Sequence, residues 1–87
     1  MASYQIEWRR SAQKELRRLP RAVIRRVVTA VEALAQTPVP TGAIKLSGTE
    51  HTYRLRVGDY RVVYTVEQDI LLIEIVRVRH RRDAYRP

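Results

Sequence analysis

The side chains best able to do chemistry in this sequence are its arginines. The chain carries 15 Arg and two Lys against nine acidic residues, which gives a formal net charge of +8. A guanidinium group is planar, stays charged and presents a fork of donors that matches phosphate oxygens, whereas lysine would serve solubility equally well. A GC-rich coding sequence would also raise the arginine content. Composition therefore indicates a polyanion or an acidic partner without saying which.

Three arginines are predicted to share one face of a β-hairpin. Gly58-Asp59 is a two-residue turn signal between alternating segments, and such a loop places Arg56 directly opposite Arg61. Because side chains alternate along a strand, Arg54 joins these two on one face. The opposite face takes the apolar residues Leu55, Val57, Tyr60, Val62 and Tyr64. Like charges opposite each other destabilise a sheet, so this arrangement favours a phosphate-binding trough over a merely solvated face.

The register of the last strand decides which further residues join these arginines. If Gln68-Asp69 forms a two-residue loop, Glu67 pairs with Ile70. The arginine side then gains Glu74, Val76, Val78 and His80. If Ile70 belongs to the loop, that side gains Arg77, Arg79 and Arg81 instead. Both faces of the strand are partly apolar, so the pattern leaves both registers open.

The polar tail, residues 80–87, is predicted to lie at the edge of the same sheet. A short tail cannot travel far, so it delivers His80, Arg81, Arg82 and Tyr85 to this edge. A tyrosine near a terminus often packs on the fold, but one among arginines is also placed to stack on an exposed base. Imidazole exchanges a proton near neutral pH, which makes His80 a candidate for proton transfer rather than only a surface residue.

The segment before the hairpin is predicted to form one strand and two helices. Alternation at Tyr4, Ile6 and Trp8 marks the strand. The first helix has Ser11 as its expected N-cap and is ended by Pro20. The second helix carries an apolar stripe made of Val23, Val27, Ala30, Val31 and Leu34.

Prolines in 37–42 stop the second helix, and strands are predicted at 53–57, 60–67 and 70–79. The resulting order is β-α-α-β-β-β. It predicts an α+β fold in which a helical hairpin packs on one face of a small antiparallel sheet.

Length and composition exclude several classes of protein. The 87 residues allow one domain, spanning 1–87. Without cysteine there can be no disulfide or thiolate metal site, and two histidines make a histidine metal site unexpected, so no metal and no cofactor are predicted. The N-terminus lacks the apolar stretch of a signal peptide, and the longest apolar run is Ile70–Ile73. A cytoplasmic protein without a membrane partner is therefore expected.

Taken together, these features resemble the RelE/ParE superfamily of toxins over essentially the whole chain. The motif is Tyr-Arg-x-Arg-x-Gly-x-Tyr-Arg-x-x-Tyr at 53–64, preceded by Lys45-Leu46 and Gly48. The closing His80-Arg-Arg-Asp-Ala-Tyr-Arg86 is similar to the RNA-cleaving, RelE-like branch. This resemblance implies a ribosome-dependent endoribonuclease that cleaves mRNA in the A site. Attack would come from the nucleotide's own 2′-hydroxyl, without a metal.

The resemblance also implies roles for single residues. Arg54 and Arg56 are similar in position to basic residues that contact the scissile phosphate and activate the nucleophile. Arg61 would stabilise charge on the pentacoordinate phosphate, Arg81 would protonate or neutralise the leaving group, and Tyr85 would stack on the base. The further basic residues expected to bind RNA are Arg77, Arg79, Arg82 and Arg86.

Arginine at positions 54 and 56 departs from the best-studied RelE, which has lysines there. Lysine can lose a proton when its pKa is depressed, whereas arginine effectively cannot. These two positions are therefore not expected to supply the general base. Related toxins place a histidine just ahead of the terminal tyrosine, and the hypothesis is that His80 shares the acid–base work.

The resemblance implies partners as well. A toxin of this kind has a cognate acidic antitoxin, here RelB-like, that wraps the basic face as it folds, and its targets are the ribosome and mRNA. Operator DNA would be bound only through the antitoxin. The alternatives are a ParE-like gyrase inhibitor, which has the same fold but generally lacks the terminal tyrosine, and a non-catalytic nucleic-acid-binding module.

Overall fold

Helices on one side and a five-stranded sheet on the other form the two layers of the fold. The computed structural model describes residues 3–84. The elements follow in the order β1 (Gln5–Trp8), α1 (Arg10–Arg17), α2 (Arg21–Ala33), β2 (Ile44–Lys45), β3 (Thr52–Val57), β4 (Tyr60–Glu67), β5 (Leu72–His80) and α3 (Arg81–Ala84). Across the sheet the strand order is β1-β5-β4-β3-β2. The predicted α+β class, with a helical hairpin on a sheet, is confirmed.

The helical hairpin follows from its apolar stripes and one proline. Pro20 is the N-cap residue of α2, where its missing N–H breaks no helical hydrogen bond. The predicted N-cap at Ser11 is wrong, because α1 begins at Arg10 with Arg9 at the N-cap position. The Arg9 side chain makes no capping hydrogen bond, but its backbone N–H donates to the Ile75 carbonyl at 2.9 Å, which holds the chain on β5 as it turns from β1 into the helix.

The core lies between the helices and the face of the sheet that they cover. Its members come from both layers and are at most 3% exposed: Ala12, Val27, Val31, Leu34, Val62, Tyr64, Val66, Ile73, Ile75 and Val78. The sheet residues among them alternate along β4, and along β5 they alternate except between Ile75 and Val78. Burial of these side chains is therefore what orients the other face of the sheet, and everything on it, away from the helices.

The sheet differs from the predicted antiparallel arrangement in two respects. β1 pairs in parallel with β5, from Gln5 opposite Leu72 to Trp8 opposite Ile75. A parallel pair needs a long connection, and the helical hairpin and the three strands between β1 and β5 supply it. β2 adds a short edge strand, with Ile44 opposite Arg54. Apolar alternation does not encode strand direction, so neither feature was readable in the pattern.

The hairpin of β3 and β4 has the predicted register residue for residue. Val57 lies opposite Tyr60, Arg56 opposite Arg61 and Arg54 opposite Val63. Gly58 has φ +60, a left-handed conformation that glycine adopts without the Cβ clash other residues would meet. The two-residue turn chemistry at 58–59 therefore sets the pairing on which the arginine arrangement depends.

The connection from β4 to β5 is longer than either predicted loop. Residues 68–71 form it, with one turn of 3₁₀ helix at Gln68–Ile70 and Leu71 at φ +51, so Glu67 lies opposite Leu72. Farther along, the register passes from Tyr64–Ile75 to Val63–Arg77, which leaves Val76 as an extra residue in β5. Such a β-bulge inserts one residue and reverses which side chains face the core from that point on.

The buried phenol of Tyr64 ties the sheet to the loop after α2. Its hydroxyl donates to the Pro38 carbonyl at 2.8 Å, and its ring stacks on that of Tyr53 at a centroid distance of 5.9 Å. Burial raises the pKa of Tyr64 to about 12, with a smaller contribution from Tyr53. The neutral phenol is therefore the form that the folded state favours.

This shift predicts a loss of stability in alkali. The folded-state pKa lies above the ordinary value of 10.0, so the stabilisation is complete below pH 10 and is lost as the pH rises towards 12. Urea unfolding should show the free energy of unfolding falling by about 2 kcal/mol over that range through this group. Tyr64→Phe should start about 1 kcal/mol less stable at neutral pH, for want of the hydrogen bond, and fall less steeply. Parallel curves for the two proteins would contradict the prediction.

Candidate nucleic-acid interface

The sheet surface opposite the helices carries five arginines and is called the arginine face below. Its members are Arg54, Arg56, Arg61, Arg77 and Arg79. In the ladder they form two rows. One row is Arg56–Arg61–Arg79 across β3, β4 and β5, and the other is Arg54–Val63–Arg77. The structure thus brings together the predicted catalytic arginines of the hairpin and two of the predicted RNA-binding arginines.

The bulge at Val76 is what brings β5 into this arrangement. Ile73 and Ile75 face the core before it, and Val78 faces the core after it. If β5 alternated without a bulge, Arg77 and Arg79, two and four residues after Ile75, would face the core with it. The predicted register that joined Arg77, Arg79 and Arg81 to the hairpin is therefore correct as to the face of Arg77 and Arg79, whereas Arg81 begins α3 beyond the ladder. The loop and the bulge that produce this register were not predicted.

Arg61 lies in the middle of its row and is the most buried of the five arginines. It is 9% exposed, and its Nη1 donates to the Tyr60 carbonyl at 3.3 Å. Arg56, directly opposite, is exposed, and its Nε donates to the Gly58 carbonyl at 3.1 Å. A charge shielded from water acts on a nearby ion through a lower effective dielectric. Arg61 is thus the stronger electrostatic centre, and Arg56 the more accessible one.

Glu15 of α1 holds one end of the arginine face in place, a role that the sequence pattern did not indicate. Its Oε2 accepts from Arg79 Nε at 3.0 Å and lies 3.9 Å from Arg77 Nη1. Its Oε1 accepts from the backbone N–H of Val78 at 2.9 Å. β1 pairs with β5 only as far as Ile75, so this carboxylate satisfies a donor that the ladder leaves open.

His80 lies on the other side of the sheet. It pairs with Tyr60 in the ladder, one residue beyond Arg79, and so belongs to the face that the helices cover. Its ring meets that of Tyr60 edge-on at 5.2 Å, and its Nδ1 accepts from the backbone N–H of Arg82 at 3.3 Å. The predicted register that placed His80 among the arginines is wrong, and its acid–base role stays a prediction.

The start of the tail is anchored beside the hairpin turn. The backbone N–H of Arg81 donates to the Asp59 carbonyl at 2.7 Å, and the side chains of Arg81 and Arg82 are exposed in α3. The predicted roles of Tyr85 and Arg86 fall outside the described residues.

The chemistry available on this face is that of anion binding. Several guanidinium groups in fixed rows can bind more than one phosphate oxygen at once.

Among residues 3–82, no group of three or more acidic, histidine or cysteine side chains is arranged to hold a metal ion. No helix in the described part of the chain is long and apolar enough to cross a membrane.

Comparison with known proteins agrees with this fold. The family described as "ParE toxin of type II toxin-antitoxin system, parDE" matches residues 6–85. The toxin RelG of Mycobacterium tuberculosis is 30% identical over 84 residues, which cover 95% of this chain and 97% of RelG. The chain therefore belongs to the RelE/ParE superfamily of type II toxins.

Solved structures show the same similarity. A chain of the archaeal RelE–RelB complex from Pyrococcus horikoshii is 35% identical, with a TM-score of 0.83 over 93% of this chain and 98% of that one. A chain of the RelBE2 toxin–antitoxin complex from M. tuberculosis is 25% identical, with a TM-score of 0.81 over 91% of this chain and 99% of that one. The two helices on a mixed sheet are thus the fold of RelE structures.

The contacts of Glu15 predict a stability effect. Glu15→Ala removes the acceptor for the Val78 N–H and the partner of Arg79, and should lower the free energy of unfolding by about 1–3 kcal/mol. Glu15→Gln keeps an acceptor oxygen and should lose less. Glu32→Ala, an exposed acidic residue of α2, should change stability by no more than about 0.5 kcal/mol. Urea unfolding at neutral pH measures all three, and equal effects at positions 15 and 32 would refute the assignment.

Proposed function

We propose that this chain is a RelE-like toxin that cleaves messenger RNA in the ribosomal A site. The observation that carries the proposal is the row Arg56–Arg61–Arg79, in which the central arginine is largely buried and is paired in the ladder with an arginine on each side. Such a row is unfavourable for the sheet alone but suits a phosphodiester that gains charge during a reaction. The similarity to RelG and to chains of RelE–RelB complexes supports the same assignment.

The chemical step would be attack of a 2′-hydroxyl on its own 3′-phosphate. This reaction needs in-line alignment, stabilisation of charge on the non-bridging oxygens, and proton transfer at both ends. In our proposal Arg54 and Arg56 bind and align the phosphate, and Arg61 stabilises the charge of the pentacoordinate phosphorus. The guanidinium groups supply this charge stabilisation without a metal ion or cofactor.

Leaving-group stabilisation and base stacking are assigned to the tail. Arg81 would neutralise the departing 5′-oxygen, and Tyr85 would stack on the base. The remaining residues proposed to bind the RNA backbone are Arg77, Arg79, Arg82 and Arg86. The anchoring of Arg81 to Asp59 beside the hairpin turn supports this, because it starts the tail next to Arg56 and Arg61.

Proton transfer is the step that the arginines cannot perform, because they stay charged. His80 is proposed for this step. Its ring packs beside Tyr60 rather than among the arginines, so it would act from the end of β5. His80→Gln should then lower the cleavage rate and flatten its pH profile. Cleavage equal to wild type at every pH would remove His80 from the mechanism.

We further propose a RelB-like, acidic antitoxin as the partner that controls the toxin. The similar archaeal structure is a complex of RelE with RelB, and a formal charge of +8 favours an acidic segment that folds over the basic surface. Operator DNA would be bound only through that antitoxin. The cytoplasm, which holds ribosomes and messages, is the proposed site of action.

Inhibition of DNA gyrase is the second candidate function, because the matching family description names a ParE toxin. The two functions make opposite predictions for cellular RNA. A RelE-like toxin breaks messages only while they are translated, whereas a gyrase inhibitor leaves them intact and arrests growth through DNA.

The test is primer extension on translated messages after expression of the toxin. Arg61→Ala should reduce cleavage by about 100-fold or more, as expected when a group that stabilises transition-state charge is removed. Arg10→Ala, an exposed arginine at the start of α1, is the matched control and should cleave like wild type. Growth arrest with intact messages and inhibited gyrase would overturn the proposal in favour of the second candidate.

A further inference from the structure

A second basic site lies outside the arginine face, on the helical side of the molecule. A pocket of about 380 Å³ opens between α2 and the hairpin of β3 and β4, and is called the α2 pocket below. It is lined by Arg25, Arg26, Thr29, Ala30 and Val57. The lining therefore combines two arginines with a floor, as it is called below, of small side chains that are largely apolar: Thr29, Ala30 and Val57.

The charges around the α2 pocket are not neutralised within the described structure. Arg25 and Arg26 are both exposed, and no carboxylate of residues 3–82 forms an ion pair with either. Residues 9–33 contain eight Arg and Lys but only two acidic residues. One of these, Glu15, is already committed to β5. The helical hairpin thus presents strong positive charge to solvent.

The positions of these charges lower the stability of α2. Arg21 and Arg25 are four residues apart on α2, and like charges at that spacing destabilise a helix. The first turn of α2 contains no acidic residue to favour the helix dipole. Solubility alone would be served by a mixture of signs, so the pattern points to an anionic ligand.

Gly58 connects the α2 pocket to the arginine face. A Cβ placed on Gly58 would lie 3.1 Å from Arg26 Nη2, which shows how closely that guanidinium packs against the turn. On the same residue, the carbonyl accepts from Arg56 Nε at 3.1 Å. Arg26 and Arg56 thus contact one residue at the tip of the hairpin. The two basic surfaces are continuous around it.

We propose that the α2 pocket binds one nucleotide of an RNA strand, with its phosphate on Arg25 and Arg26 and its sugar or base against Val57 and Ala30. Guanidinium groups over an apolar floor suit a ligand that is both anionic and partly apolar, and arginine planes also stack on bases. A peptide segment made only of acidic residues would use the charge but not the floor. The inference rests on the proposed function, because continuity with the arginine face lets one RNA chain contact both sites.

Messenger RNA and ribosomal RNA both contain nucleotides of the kind that the α2 pocket is proposed to bind. Binding is measured first with a short single-stranded RNA that is methylated at every 2′-hydroxyl and so cannot be cleaved, by fluorescence anisotropy over a range of salt concentrations. The second measurement is co-sedimentation with purified small ribosomal subunits. If substitutions in the pocket weaken binding of the short RNA, the pocket is assigned to the message. If they weaken only the binding of the subunits, it is assigned to ribosomal RNA.

The test variant is Arg25→Ala/Arg26→Ala, and the matched control is Lys14→Ala/Arg18→Ala, which removes the same charge from exposed positions of the first helical segment. The test pair should weaken RNA binding by about tenfold and reduce the salt slope by about 0.7, the value for one lost contact to a single-strand phosphate. The control should weaken binding by no more than about threefold, since distant charges are screened. Equal losses in both pairs, or loss in neither, would overturn the inference.

A second variant leaves every arginine in place. Thr29→Glu puts a carboxylate at the pocket, and Ser11→Glu puts one on exposed α1 as its control. Only Thr29→Glu should weaken RNA binding. A melting temperature equal to that of wild type, measured by circular dichroism, shows that each variant is folded. If the pocket variants changed only the affinity for the acidic antitoxin, the pocket would be a protein-binding site and the inference would be wrong.

Failure of the inference is distinct from failure of the proposed function. If wild type cleaves translated messages while the pocket variants bind RNA and cleave like their controls, the inference alone fails. If wild type leaves messages intact while the pocket variants still lose RNA binding selectively, the proposed function alone fails.

Discussion

The extra residue in β5 at Val76 is the constraint on which the arginine face depends. Two isoleucines before it and Val78 after it all face the core, which is possible only because the alternation restarts at the bulge. Arg77 and Arg79 are thereby kept out of the core, where an unpaired charge would cost several kcal/mol. They join the arginines of β3 and β4 instead. One inserted residue therefore satisfies the hydrophobic core and assembles the basic row at the same time.

The basic row needs support because it opposes the usual stabilisation of a sheet. Arg56 lies opposite Arg61 and Arg61 opposite Arg79, each pair being unfavourable by itself. Support comes from outside the face, chiefly from Glu15, which holds Arg79 and caps the open edge of β5. The helix layer thus does more than cover the core, since one of its carboxylates positions part of the surface on the far side. A phosphate in the row would relieve the remaining repulsion.

Local signals in the sequence were sufficient to predict the features that depend on residues close together in the chain. The turn at Gly58 and Asp59 set the pairing of Arg56 with Arg61, and Pro20 set the division of the two helices. Features that depend on pairing between distant segments of the chain left no such signal. Strand alternation does not show that β1 runs parallel to β5, and the apolar residues on both faces of β5 masked the bulge. The face occupied by His80 was left open for the same reason, and nothing in the sequence pattern marked Glu15 as a contact of β5.

The most direct test of the account is the stability of Arg56→Thr at low salt, with and without a non-cleavable RNA. If the row is kept for phosphate at the expense of the sheet, removing Arg56 relieves its repulsion with Arg61. The free energy of unfolding without RNA should then rise by about 0.2–1 kcal/mol. Added RNA should stabilise wild type clearly more than the variant. A variant that is less stable than wild type without RNA, and gains as much from RNA, would contradict the account.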